Sequence, residues 1–394
     1  KGVLAFDLFC AALTTVCELA FPMIVRYLTD LGMNDLQALT VRVILTVGLI
    51  YLALRVVDAT ANYYMQNTGH VMGARMESDM RQDLFDHFQR LSFSYYDRIN
   101  TGEMMSKLVS DLFDISELAH HGPENIFISL LKILGSFALL LWINVPMTLI
   151  LAAVTLIMLL FCIDQNKKMR AVFMDNRRKI AGVNSRVQDS LAGIRVVKSF
   201  ANEELEQKKF EKSNLEFLDS KERNYRRMGS YHAGNNFFQG ILFTTVLVSG
   251  GYFVARGDIL LTDLAVYVLY INIFINPIDV LIEFTEMFQK GFSGFKRFIE
   301  VMETQPEIVD SPDARPLTNV HGVIDYRDVS FQYEKNETVL SHISIHIDAG
   351  KTVALVGPSG GGKTTLCSLL PRFYDVTGGS VLVDGQDVRG LTLE

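Results

Sequence analysis

The stretch Gly357-Pro358-Ser359-Gly360-Gly361-Gly362-Lys363-Thr364 decides how the rest of the sequence is interpreted. It fits the phosphate-binding loop pattern, in which a glycine and four free positions precede Gly-Lys-Thr. The apolar run at 352–356 predicts a buried strand before the loop, and residues 364–370 predict the start of a helix after it. A strand, a glycine-rich loop and a helix in this order are the context in which the pattern binds phosphate.

The residue types in this loop indicate what each would do. Glycines allow backbone N–H groups to surround phosphate oxygens, and a helix N-terminus favours negative charge. We expect Lys363 to reach the β- and γ-phosphates and Thr364 to place its hydroxyl on Mg²⁺. The residues predicted to hold the nucleotide are Gly357, Ser359, Gly360, Gly361, Gly362, Lys363, Thr364 and Thr365, with Lys363 also serving in catalysis.

The composition argues against an ordinary soluble chain. The 394 residues suffice for two or three domains, 49% of them are hydrophobic, and the mean hydropathy is +0.21. The net charge of −7, without a basic patch that carries interleaved aromatics, argues against a nucleic-acid partner. The four cysteines lack metal-ligand spacing, so we expect reduced thiols packed in lipid or core at Cys10, Cys17, Cys162 and Cys367.

Six segments are apolar enough to cross a bilayer, for which about 20 mostly apolar residues are needed. The long uncharged run at 133–163 is divided into two helices by Asn144-Val145-Pro146. Buried helices of a large soluble protein are the alternative, which such long uncharged runs disfavour. The expected spans are 4–30, 40–66, 123–143, 147–165, 228–255 and 262–286.

The connections between these spans predict the topology. Those at 32–41, 144–146 and 256–263 are short, and Arg256 is their only basic residue. The segments 66–117 and 164–227 are long and highly charged, so the positive-inside rule places them in the cytoplasm. Counting six crossings places the phosphate-binding loop there as well, where ATP is available. In the segments 66–117 and 164–227, apolar residues recur at helical spacing, which predicts that the membrane helices continue far into the cytosol.

Three further stretches carry a family pattern. The first runs from Tyr95-Tyr96-Asp97 through Thr101-Gly102 and Ser106-Lys107-Leu108 to Asp111. The second is the run from Leu191 to Phe200, and the third is Val329-Ser330-Phe331-Gln332-Tyr333. With Gly378-Gly379-Ser380 and Asp384-Gly385, they resemble ATP-binding-cassette (ABC) exporters of the half-transporter type, which include lipid flippases and multidrug exporters. Lys107 stands where the family usually has arginine, and Asp189 where it usually has glutamate.

The resemblance implies a multi-domain membrane protein. A six-helix all-α transmembrane domain with long cytosolic helix extensions (1–305) would be followed by a linker (306–320) and a partial α/β P-loop nucleotide-binding domain (321–394). Coupling helices are implied near 94–105 and 202–212, the second docking on the other subunit's nucleotide domain. Tyr333 is implied to stack on adenine, the alternative being an ordinary tyrosine at a strand end.

The resemblance also implies motifs that this sequence does not contain. Family members hydrolyse ATP with a glutamine loop, a Walker B aspartate followed by glutamate, a switch histidine, and a signature sequence from the partner subunit. None of these is present up to Glu394, and Lys1 is not a start methionine. We therefore interpret the sequence as part of a longer polypeptide, whose site as given would bind part of ATP without hydrolysing it.

The function implied is ATP-driven export or flipping of a lipid, drug or other amphipathic substrate. A homo- or heterodimer of half-transporters would perform it in the cytoplasmic membrane, surrounded by lipid, with the nucleotide domains in the cytoplasm. Two alternatives stay open. One is a regulatory or channel-like ABC protein that binds ATP without pumping, and the other is an importer on the exporter scaffold.

Polar residues within the spans are the clues to substrate, because ionisable groups at membrane depth usually face a cavity or a partner. Glu18 in the first span is the strongest candidate, with a structural hydrogen bond as its alternative role. His232 and Asn235 lie at the start of the fifth span, where they either line an inner cavity or mark the membrane interface. Arg55 and Asp58 are spaced to pair with each other.

Overall fold

The chain is mostly helical. A computed structural model describes residues 2–333 and 338–393. Among them are six helices long and apolar enough to cross a membrane, as the sequence predicts. The helices are α1 (Gly2–Asn34), α2 (Val41–Tyr64), α3 (His70–Arg90), α4 (Phe93–Arg98), α5 (Thr101–Ser106), α6 (Leu112–Ile143), α7 (Val145–Ala192), α8 (Ile194–Ser199), α9 (Glu203–Ala255), α10 (Leu261–Met302) and α11 (Lys363–Leu369).

The chain folds into two compact units. The first comprises residues 1–73 and 117–289, and the second comprises 74–116 and 290–394. In the first unit, α10 lies at the centre of the helix packing, because Tyr267, Tyr270 and Phe274 are fully buried. Their polar ends are satisfied: the Tyr270 hydroxyl donates to the Leu19 carbonyl at 2.7 Å, and the Tyr267 hydroxyl lies 2.7 Å from that of Thr148.

The outer surface of the first unit is apolar. Trp142 is 77% exposed and Leu247 is 64% exposed, and the most apolar stretch of α2 has no buried residue. Water would penalise such a surface, whereas lipid tails would not. The predicted break between the third and fourth spans is confirmed: α6 ends at Ile143, and the Asn144 side chain accepts from the Met147 N–H at 2.9 Å to cap α7.

Two helices extend well beyond a bilayer. At about 1.5 Å per residue, the 48 residues of α7 and the 53 of α9 span about 72 and 80 Å, against a hydrocarbon core of about 30 Å. The polar parts of these helices are joined by ion pairs between Lys179 and Glu216 (2.8 Å) and between Arg223 and Asp175 (3.0 Å). The predicted long extensions of the membrane helices are therefore present.

The connection between α7 and α9 differs in detail from the expectation. The separate short helix is α8 at Ile194–Ser199, whereas residues 203–212 form the first turns of α9. Three acidic residues in the first turn, Glu203, Glu204 and Glu206, suit the positive end of the helix dipole, so the long helix starts there.

The second unit contains an antiparallel sheet in the order β2-β1-β3-β4, formed by β1 (Ile324–Gln332), β2 (Thr338–Ile347), β3 (Gly378–Val383) and β4 (Gln386–Asp387). Val329, Leu369 and Val381 are almost completely buried between this sheet and α11. The same unit holds a helical core in which Leu84, Phe88 and Leu112 pack together.

A bidentate ion pair closes this helical core. Both oxygens of the buried Asp111 carboxylate accept from Arg297 at 2.7 Å, which joins the start of α6 to the last turns of α10. A Cβ at Gly294 would lie 3.0 Å from the Asp111 carbonyl oxygen, so glycine permits this close approach. Paired, hydrogen-bonded geometry of this kind is what allows a carboxylate to be buried.

Two predictions in this region are wrong. Residues 352–356 were expected to form a buried strand, but they pair with no described strand, and Val356 is 92% exposed. Backbone groups form a strand only against a neighbour, and the described sheet offers them none. All four cysteines are free thiols, but Cys367 is exposed on α11 rather than packed, because the buried face of that helix carries Leu366 and Leu369.

Candidate nucleotide-binding site

The glycine-rich loop has a backbone that only glycine adopts easily. Gly360 and Gly362 have φ angles of +81° and +78°, in the left-handed region. A Cβ at Gly362 would lie 2.6 Å from Leu340 Cδ2 and 3.2 Å from the Val339 carbonyl oxygen. The loop therefore lies against β2 and turns directly into α11.

The lysine of the motif folds back over this loop. The Lys363 ammonium donates to the carbonyl oxygens of Gly357 at 3.0 Å and Pro358 at 2.7 Å. Lys363 is also the first residue of α11, whose first N–H groups have no partner within the helix. Positive charge and backbone donors thus lie together at the loop.

The hydroxyl residues of the loop differ in exposure. Ser359 and Thr364 are exposed, as groups that meet a ligand or a metal ion would be. Thr365 is buried, and its hydroxyl lies 2.9 Å from the Tyr333 hydroxyl. We therefore assign Thr365 to positioning Tyr333 through its side chain, while only its backbone remains a candidate for the phosphates.

Tyr333 belongs to a cluster of aromatic rings. Its ring meets Phe331 edge-on at 4.8 Å between centroids and Tyr374 edge-on at 5.2 Å, and about half of its surface is exposed. Edge-to-face contacts fix the relative orientation of the rings, and the exposed half of Tyr333 is left accessible to a ligand. The arrangement suits a residue that stacks on a flat ligand.

The aromatic cluster continues to α4. The Tyr374 hydroxyl donates to the Asp97 carboxylate at 2.6 Å, and the rings of Phe93 and Phe373 stack at 4.1 Å. Burial first, and then this hydrogen bond to Asp97, raise the pKa of Tyr374 well above its usual value, so the hydroxyl keeps its proton. A cavity of about 610 Å³ lies between α4 and the aromatic cluster.

Sequence reasoning did not identify Phe373 and Tyr374 as functional. They follow α11 in the run Arg372-Phe373-Tyr374-Asp375, where two aromatics between opposite charges were the available signal. Arg372 has a positive φ of +55° and pairs with Asp375 at 2.9 Å, which shapes this turn.

Asp384, singled out as part of a family hairpin, has a structural role here. Its carboxylate accepts from the backbone N–H groups of His321, Gly322 and Val323 at 2.8–3.0 Å. These hydrogen bonds, those from Val323 and Gly322 most, lower the pKa of Asp384. The side chain thereby fixes where β1 begins beside β3.

Two of the candidate substrate residues, His232 and Asn235, both interact with Asp279, whereas Glu18 has a different partner. Glu18 forms an ion pair with Lys132 at 2.6 Å, a lysine within the third span that the sequence reasoning passed over. Asn235 is buried, and its amide donates to Asp279 at 3.4 Å. His232 is exposed and packs edge-on against Tyr231. The predicted pair between Arg55 and Asp58 is present at 2.8 Å.

Comparison with known proteins identifies the class to which this fold and loop belong. A family profile described as the ABC transporter transmembrane region matches residues 4–278, and one described as ABC transporter matches residues 340–394. The chain belongs to the ABC transporter family, and it is a multi-pass membrane protein with an ATP-binding domain. The predicted resemblance to ABC exporters is confirmed.

Individual relatives agree with this assignment. YwjA of Bacillus subtilis, an uncharacterized ABC transporter ATP-binding protein, is 38% identical over 393 residues, which cover 100% of this chain and 68% of YwjA. YgaD of the same species, provisionally named a multidrug export ATP-binding/permease protein, is 30% identical over 375 residues, covering 94% of this chain and 65% of YgaD. The chain thus spans about two thirds of these relatives.

A solved structure shares the fold. It is a bacterial Atm1-family ABC exporter with ATP bound, with a TM-score of 0.73 and 21% sequence identity, covering 99% of this chain and 69% of the other. At that identity the likeness establishes the architecture of helices and sheet.

The loop geometry makes a prediction about glycine. Gly362→Ala should lower the thermal stability of the full-length protein more than Gly385→Ala does. Both residues have a φ of +78°, so both alanines carry the left-handed backbone cost of about 1–2 kcal/mol. Only the alanine at 362 would also press on Leu340 and Val339, because nothing lies within 4 Å of a Cβ at Gly385. Equal shifts in the unfolding midpoint would show that the loop does not lie against β2.

Proposed function

We propose that this chain belongs to an ATP-driven exporter or flippase that moves a lipid, drug or other amphipathic substrate across the plasma membrane. The single observation that carries the proposal is the linkage of the loop to α4 within one compact unit: Thr365 contacts Tyr333, Tyr333 contacts Tyr374, and Tyr374 contacts Asp97. A site for nucleotide is thereby joined to helices that continue into the membrane. The relatives named for multidrug export support the direction of transport.

The residues present fit a nucleoside triphosphate. The left-handed glycines leave the loop without side chains at 360 and 362, where the polyphosphate would lie, and Lys363 supplies positive charge. The open face of Tyr333 would hold adenine, a contact of about 1–3 kcal/mol in similar base-stacking sites. The exposed Thr364 hydroxyl would serve as a ligand of Mg²⁺.

The aromatic cluster would carry the signal of an occupied site to the membrane. Movement of Tyr333 on contact with adenine would displace Tyr374, because the two rings touch. Tyr374 is hydrogen-bonded to Asp97, and Arg98 of the same helix pairs with Glu307 at 2.8 Å, so α4 is held at several points. Bound ATP would supply the free energy for the conformational change. Tyr333, Tyr374 and Asp97 would transmit that change to the neighbouring helices α3 and α6.

A second subunit would complete the transporter. The tip formed by the end of α7, α8 and the start of α9 has a groove with a volume of about 310 Å³, lined by apolar residues that include Leu191, Ile194 and Phe210 and by charged residues such as Arg186 and Glu206. Phe200, at the end of α8, is 72% exposed. A free cytosolic tip would expose this apolar area to water, whereas docking on the partner's nucleotide domain would bury it. We therefore place the second coupling contact at α8 and the first turns of α9.

The substrate would contact polar groups inside the first unit. We retain Glu18, His232 and Asn235 as candidates, with two refinements. Glu18 is neutralised by Lys132, and Asn235 is linked to Asp279, so each site offers paired polar groups instead of an isolated charge. Such groups suit a substrate that is partly polar and partly apolar.

The nucleotide assignment predicts the behaviour of a lysine variant. Lys363→Ala in the full-length protein should abolish ATP hydrolysis and weaken ATP binding, because the ammonium aimed at the phosphates is removed. Lys351→Ala is the matched control, since Lys351 is an exposed lysine shortly before the same loop. Purified protein would be assayed for phosphate release and nucleotide binding. Normal turnover by the Lys363 variant would refute the assignment.

The docking assignment predicts crosslinks between chains. A benzophenone on a single cysteine at Asn202, with the native cysteines replaced, should react with the nucleotide domain of the partner. A cysteine at Asn214, also exposed but further along α9, should give few such products. Dimers would be assembled from isotope-labelled and unlabelled chains. A crosslink between chains then appears in mass spectrometry as a pair of joined peptides, one labelled and one unlabelled. Products confined to one isotope would contradict docking on the partner.

A further inference from the structure

Three histidines converge in the first unit. His70 begins α3, whereas His120 and His121 lie on α6. One ring nitrogen from each lies within 4.8 Å of the others, and the ring centroids are 4.0–5.1 Å apart. Three histidines at this separation form a ligand set that divalent transition metals prefer.

The backbone before His70 is irregular in a way that creates this convergence. Residues Met65–Gly69 form a π-helical turn between α2 and α3. Such turns insert one residue into a helix, change the face that later residues present, and occur often at functional sites. Gly69 is buried in the same turn, and a Cβ there would lie 3.0 Å from Asp7 Oδ1. The turn thus brings both His70 and the carboxylate of α1 to one place.

Asp7 supplies a second, independent sign of a bound cation. It is only 1% exposed, and its Oδ1 atom has no hydrogen-bond partner in the part of the chain that the structure describes. His70 and His121 are near enough to interact electrostatically with its carboxylate, as is Glu124. Glu124 is also buried, so two carboxylates share a poorly hydrated space. A bound cation, or a proton, would offset that arrangement.

Carboxylates also flank the histidine ligands. His121 Nδ1 lies 3.4 Å from Glu124, and its Nε2 lies 3.8 Å from Glu117. When one nitrogen of a histidine binds a metal, the other usually donates to a carboxylate, which orients the ring and increases its basicity. Either ring nitrogen of His121 therefore has a carboxylate available for this purpose.

We propose that His70, His120 and His121 bind one divalent transition-metal ion of the zinc class, with the buried Asp7 carboxylate next to the turn that carries His70. Three histidine nitrogens and one further ligand make the four-coordinate sites that Zn²⁺ forms, in which nitrogens bound at about 2.0–2.1 Å lie about 3.4 Å apart. The ion would connect α3 and α6. It is separate from the Mg²⁺ proposed at Thr364, which prefers oxygen ligands.

The test is direct measurement of metal binding. Full-length protein without a polyhistidine tag, stripped with a chelator and free of nucleotide, would be dialysed against micromolar Zn²⁺ and its metal content measured. One zinc per chain is expected, with Co²⁺ giving the visible spectrum of a tetrahedral site. His121→Ala should weaken zinc binding more than tenfold. Asp7→Asn, which removes negative charge beside the site, and Glu117→Gln, which acts through His121, should each weaken it by about tenfold.

Matched variants keep the result interpretable. His232→Ala removes an exposed histidine of the same unit that lies outside the cluster, and it should leave zinc binding unchanged. If His121→Ala does not fold, His121→Gln serves instead, and its altered Co²⁺ spectrum is the readout. Absence of stoichiometric zinc in the wild-type protein, or equal binding by the cluster variants and His232→Ala, would overturn the proposal.

Discussion

The hydrogen bond between the Tyr374 hydroxyl and the Asp97 carboxylate is the contact on which this account depends. It joins the aromatic cluster beside the glycine-rich loop to α4, and it works together with the stacked rings of Phe93 and Phe373. A charge-assisted hydrogen bond of 2.6 Å is directional and is stronger than one between neutral groups. It can therefore transmit a small movement that an apolar contact alone would absorb.

Rigid helices make such a small movement useful. The Asp111–Arg297 pair fixes the start of α6 to α10 near the same helical core, so in the proposed mechanism α4 would move against a stable background. Helices α7 and α9 are much longer than a bilayer is thick, which in the proposed mechanism would give their cytosolic ends enough length to act as levers. Packed interfaces have few stable arrangements, so a shift at one end favours a change of state instead of gradual bending.

Much of the fold could be predicted from the sequence because lipid imposes strong patterns. Long, mostly apolar runs gave the six membrane helices, and Asn144-Val145-Pro146 gave the break between two of them. The spacing of Gly357 from Gly362-Lys363-Thr364 predicted a phosphate-binding loop, and Gly360 and Gly362 within it have left-handed backbones. In each case the necessary information lies within a short stretch of sequence.

Features that depend on distant residues could not be predicted in this way. The stretch at 352–356 has strand character, but a strand exists only with a neighbour, which periodicity does not reveal. Lys132 lies within an apolar span, where the sequence gave no reason to expect a partner for Glu18. The structure shows that the two residues form an ion pair. The histidine cluster joins residues about 50 positions apart through a π-helical turn, for which the sequence gives no recognised signal.

Hydrogen exchange of α4, measured with and without ATP, tests the central claim most directly. In the wild-type full-length protein, ATP should slow exchange both at the glycine-rich loop and across residues 93–106. Tyr374→Phe retains the ring and its packing but removes the hydroxyl that Asp97 accepts from. The variant should keep the protection at the loop and lose most of the change in α4. An unchanged response of α4 in Tyr374→Phe would contradict the account.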